Sequence, residues 1–202
     1  MDNKRSRHAV DLDNFTKYTT QLSSIQDPEL VLLKAHMLVE RVLVQVLAAR
    51  LREPDVETVP RLSFGSVVDL AIRRPEDRNQ FLWLNELRNA LAHEFNGVEG
   101  AAFTSAIKKF GLEWPTDAKE QRAVVVTLAD YVLLLAWLRY FDEMSEQLTL
   151  ERAATLPGNA EPFLERGMKI ARQVETVRSR LDELGRHLQK PAMFTAPPLQ
   201  KS

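Results

Sequence analysis

Apolar residues recur at helical period along nearly the whole chain, and no stretch shows the alternation and turn signals of a strand. Asp27-Pro28-Glu29 opens the first strong segment. Asp suits an N-cap, Pro suits the first turn, and Glu complements the helix dipole. From Pro28 to Arg52 the pattern is apolar almost all round, with Leu30, Leu33, Met37, Leu38, Val42, Val46 and Leu47 prominent. Such a helix is expected at the centre of a bundle, and it stops before Pro54. His36 and Glu40 sit four apart and are expected to meet on its surface. Residues 53–60 read as a loop, and Leu62–Arg73 as a short helix with Phe64, Val67, Val68 and Ile72 inward. Pro75-Glu76-Asp77 starts the next helix. Its positions Phe81, Leu84, Leu87, Leu91 and Phe95, with Trp83 beside them, form one broad apolar stripe. Asn96-Gly97 ends it, since Gly can take a left-handed cap.

Ala101–Phe110 reads as another short helix, closed by Gly111. After the Trp114-Pro115 junction, Thr116 with Lys119 and Glu120 gives an approximate N-cap region, and the helix that follows is expected to run to about Met144. Its centre, Ala123–Phe141, is the most apolar segment of the chain. Asp130 in the middle is costly in a bilayer, so a helix buried in protein is expected. A buried carboxylate needs a partner, for which Tyr131, Trp137 or an arginine of another helix is available.

Leu156-Pro157-Gly158-Asn159 is the clearest break. Beyond it Ile170, Val174, Val177, Leu181, Leu184 and Leu188 recur as a heptad seam. That helix can dimerise as a coiled coil or lie back on the bundle. Before the first strong helix, Asp11–Leu22 reads as a short helix weakened by Thr16, Thr19 and Thr20. The expected organisation is an N-terminal segment over 1–26, a helical bundle over 27–150, a C-terminal heptad helix over 159–190, and a disordered tail over 191–202. The fold class is all-α, with five to seven helices.

Composition narrows the chemistry. A chain of 202 residues can bury about 70% of its unfolded surface, so it needs no metal or disulfide staple. No cysteine is present, which removes disulfide frameworks and thiolate zinc sites. Four scattered histidines show no metal-ligand spacing, and seven glycines form no phosphate-cradling loop, so no cofactor or metal is expected. Lys plus Arg number 27 against 28 Asp plus Glu, which argues against a generally basic nucleic-acid binder. The charged N-terminus shows no signal-peptide core, so a soluble cytoplasmic protein with no membrane partner is the plain reading.

The candidate chemistry lies opposite the Phe81–Phe95 stripe. Arg88, Asn85, Asn96, Asn89 and His93 follow one another around that side of the helix. A fixed cation, an amide series and an imidazole thus share one donor-rich face. The segment R-N-A-L-A-H, residues 88–93, resembles the Arg-x4-His signature of HEPN domains, the all-helical family of prokaryotic toxin–antitoxin and defence systems. Over Pro28–Phe141 the helix order is similar to the mannitol operon repressor-like branch of that superfamily. The resemblance implies a HEPN-like bundle, a homodimer, and Arg88, Asn89 and His93 as catalytic residues of a metal-independent endoribonuclease acting on RNA.

RNA cleavage by its own 2′-hydroxyl needs a base, an acid and a cation for the phosphorane charge, and an imidazole and a guanidinium supply these. Asn85, Glu40 and His36 are expected as supporting residues around that site. Four acidic residues against two arginines over Glu76–Asn96 count against a polyanion surface. The alternative is a non-catalytic regulatory or interaction module acting through a protein partner such as an antitoxin. No helix-turn-helix or basic reading helix is visible.

Overall fold

A computed structural model describes residues 15–52, 62–93, 97–154 and 161–189. The fold is all-α. Seven α-helices occur among the described residues: α1 Phe15–Ser24, α2 Pro28–Leu51, α3 Phe64–Ala71, α4 Pro75–His93, α5 Ala101–Lys109, α6 Ala118–Ala154 and α7 Glu161–Gln189. A short 3-10 turn, Gly97–Glu99, precedes α5.

The long helices α2 and α6 pack along each other and form the core. Val31, Ala35, Val39, Val42 and Val46 of α2 meet Val125, Leu128, Val132, Leu135 and neighbours of α6 within one buried cluster. Asp27 caps α2 as its sequence requires, its side chain accepting from the amides of Glu29 and Leu30. α2 is not buried all round, however. Leu30, Leu33 and Met37 are exposed, because nothing among the described residues packs on that side of the helix.

α6 is ten residues longer than the sequence pattern suggests, reaching Ala154 in place of Met144. Tertiary ties carry it onward: Glu146 pairs with Arg73, the Gln147 amide donates to Ala49 O, and Leu148 is buried. Its N-cap is Asp117, not Thr116, and one carboxylate oxygen accepts from the amides of Lys119 and Glu120, each at 3.0 Å. The segment Ala118–Glu151 is long and apolar enough to cross a membrane by length and composition, yet 67% of its most apolar window is buried inside the protein.

α7 lies back on α6. Val177 and Leu184 join the main core, and Ile170, Val174 and Leu181 pack against it. The heptad seam is thus filled by the chain's own long helix. Asp130 sits beneath this region at 6% exposure. Its Oδ1 has no hydrogen-bond partner among the described residues, and neither has Trp137 Nε1, so the expected Trp137 partner is not used. Burial pushes the Asp130 carboxyl up to about 6, with attraction to Arg180 of α7 opposing.

α1 begins at Phe15 and runs to Ser24, and Tyr18 meets Trp137 edge-on at 6.1 Å. Arg122 of α6 ties the α1–α2 junction by donating to Ile25 O at 2.8 Å. Of the expected N-terminal segment 1–26, residues 1–14 lie outside the described residues, as do the expected loop 53–60, Phe95, Asn96, the break at residues 156–159 and the tail from Pro191.

Candidate functional site

α4 carries the candidate face, and its inner stripe fixes the helix rotation. Phe81, Leu84 and Leu87 are fully buried and Ala90 nearly so. At about 100° per residue, this turns Asn85, Arg88 and Asn89 outward on adjacent turns. The start of the helix is pinned from α6: Arg139 Nε lies 2.7 Å from Asp77 Oδ2. Burial raises the Asp77 carboxyl, while Arg139 and Arg74 draw it down. Phe110, the C-cap residue of α5, braces the middle against Trp83, ring centroids 5.4 Å apart.

On the outer face Arg88 is exposed and Asn89 half-buried, and Arg88 Nη1 donates to Asn89 Oδ1 at 3.1 Å. One turn earlier, Asn85 Oδ1 lies 3.1 Å from His36 Nε2 of α2. His36 is not the surface partner of Glu40 that four-residue spacing suggests. It is buried at 7% exposure, and its ring lies on Phe64 of α3 with centroids 4.3 Å apart. The cross-helix amide and the aromatic ring supply what the solvent would have supplied. Burial lowers the His36 pKa from 6.5, the Asn85 bond and the Glu40 charge pull it back up, and the Arg88 charge lowers it further. Glu40 is half-buried and acts on His36 through its charge.

Five of the six candidates therefore gather where α2 meets α4: His36, Glu40, Asn85, Arg88 and Asn89. His93 stands apart as the last residue of α4 and is exposed. Among the described residues no hydrogen bond joins it to Arg88 or Asn89. It lies five positions along the helix from Arg88, which turns the two side chains about 140° apart. The acidity of α4 is partly offset, because Glu86 forms an ion pair with Lys109 of α5. Exposed Leu30, Leu33 and Met37 run along α2 on the outer side of His36 and Glu40.

A second polar cluster was not foreseen. Arg50, Arg73, Arg74, Arg139, Asp142, Glu143 and Glu146 line a cavity of about 240 Å³. Arg139 Nη1 donates to Asp142 at 2.5 Å, and Arg73 pairs with Glu146 at 2.9 Å. Its sequence signal was the spacing of Arg139, Asp142, Glu143 and Glu146 down one side of an otherwise apolar helix. No group of three or more His, Asp or Glu among the described residues is placed to hold a metal ion. Comparison of the chain with known protein families, with curated proteins and with solved structures finds no match.

Proposed function

We propose that this chain is an RNA-cleaving module that works without a bound metal, as a homodimer, in the manner of the HEPN endoribonucleases that residues 88–93 resemble. The observation that carries the reading is the outward Arg88–Asn89 pair on a helix that ends in an exposed His93. In the proposed reaction the 2′-oxygen of a ribose attacks the adjacent phosphorus. The His93 imidazole takes the 2′-hydroxyl proton, and the Arg88 guanidinium offsets the charge that develops on the phosphorane oxygens. The bond to the 5′-oxygen breaks, that oxygen takes a proton from water, and a 2′,3′-cyclic phosphate remains. Because Arg88 and His93 diverge on one helix, a second copy is needed to bring an arginine and a histidine into one cleft.

Incubating the purified chain with labelled RNA in EDTA tests this. Cyclic-phosphate ends are expected, and His93→Ala should lower the rate by about 100- to 10,000-fold with the fold intact. Arg88→Lys should also be damaging, since an ammonium cannot reproduce the bidentate fork. Absence of cleavage, with His93→Ala lowering the melting temperature, overturns the reading.

A second reading is a non-catalytic interaction module. The exposed stripe Leu30, Leu33 and Met37 beside the polar face favours it, since contiguous apolar exposure marks binding surfaces. Under this reading Met37→Glu abolishes partner capture while RNA remains uncut by the wild type.

A further inference from the structure

The two asparagines of α4 are both turned by identifiable neighbours. Asn85 Oδ1 faces the Nε2 of His36 at 3.1 Å, and Asn89 Oδ1 accepts from Arg88 Nη1 at 3.1 Å. A neutral imidazole carrying its proton on Nε2 donates to that Asn85 oxygen, and burial against Phe64 favours the neutral ring. With each amide oxygen occupied, each Nδ2 amino group is left pointing away from its partner. Residues 85, 88 and 89 are spaced i, i+3 and i+4, so their side chains are neighbours on one helix face. The result is two amide donors around a guanidinium that itself keeps further N–H groups to give.

We propose that Asn85, Arg88 and Asn89 form a docking face for one phosphate group, with His36 as the positioning residue that holds Asn85 in its donating orientation. The substrate class, a phosphodiester of RNA, rests on the nuclease reading; the anion-binding face does not. Charge-assisted bonds from a guanidinium and preset amide donors match the tetrahedral oxygens of a phosphate. Glu40 lies on the same edge, and its carboxylate opposes a run of phosphates. The face therefore suits a single phosphate and not a long backbone track.

The test reads binding and not cleavage. The full chain, labelled with nitrogen-15, is titrated with inorganic phosphate and separately with a 2′-O-methyl dinucleotide, which carries one phosphodiester and cannot be cut. The Asn85 and Asn89 side-chain amide signals should shift with the dinucleotide. Arg88→Gln and Asn89→Asp should each weaken binding by roughly tenfold or more. His36→Ala should weaken it while leaving the Arg88 dependence, and His36→Gln, which keeps a donor, should restore part of the loss. A shift with inorganic phosphate alone identifies a free-anion site and overturns the phosphodiester assignment. No shift with either ligand overturns the proposal, even if the chain cuts RNA. Binding that needs Asn89 and Arg88 in a chain that never cuts RNA upholds the docking face and sinks the nuclease reading.

Discussion

Arg50 of α2 and Glu143 of α6, ninety-three residues apart, share one carboxylate oxygen: Nε approaches Oε2 to 3.1 Å and Nη2 to 2.9 Å. Glu143 is buried at 6% exposure, so the α2–α6 core is joined here through a desolvated charge pair. Removing one partner leaves the other charge uncompensated, whereas exposed pairs contribute little. Glu143→Ala should therefore cost about 3 kcal/mol in urea unfolding. Arg73→Ala, whose side chain is 59% exposed, should cost less than about 1 kcal/mol. Equal losses for the two variants would count against the burial argument.

Asp130 gives a pH dependence of definite sign. Its carboxyl lies at about 6 in the folded chain against an ordinary 3.8. Well below pH 3.8 the group is neutral in both states and costs nothing. As pH rises towards 6 the unfolded chain ionises first, so stability falls. Above 6 the full penalty stands, at most about 3 kcal/mol. Asp130→Asn lacks this component. Its stability relative to wild type should improve between pH 4 and pH 7, and an unchanged difference across that range would refute the assignment.

Because α7 fills its seam with α6, Leu184→Ala should act as a core deletion. A loss of about 2–3 kcal/mol in chemical unfolding is expected, without a change in oligomeric state. A dissociated oligomer with unchanged unfolding would mean that the seam is intermolecular.

Gly97 adopts φ +54, and a Cβ there would collide with the Glu29 carboxylate that accepts from Val98 N at 3.2 Å. Gly97→Ala should cost about 1–2 kcal/mol from the left-handed backbone alone, and more if Glu29 is forced off its amide. Thermal unfolding of the variant measures this, and a neutral result would mean that the turn after α4 relaxes freely.

Local signals settled much of the fold. The α2 start was legible because Asp27, Pro28 and Glu29 each act on a neighbouring backbone group. The inner face of α4 was legible because Phe81, Leu84 and Leu87 share a helical stripe. Gly97 was readable as a left-handed position for the same local reason. The outward placement of Arg88 and Asn89 followed from that stripe by helical geometry. These features depend on residues within about four positions of one another, where periodicity and capping carry the information.

What tertiary structure decided lies at longer range. His36 has Glu40 four residues away, yet its partners are Asn85 and Phe64 on other helices. Leu33 and Met37 look like core residues in the pattern, but the other helices cover the opposite side of α2. The last ten residues of α6 hold no strong apolar signal, and that extension is tied by Arg73 through Glu146, by Ala49 O through Gln147, and by Arg166 of α7 through Glu151. The heptads of α7 were equally compatible with a second chain or with α6, because an apolar seam specifies only that something apolar must cover it. The α6 helix of the same chain, joined by a short connection and therefore at high local concentration, supplies that cover.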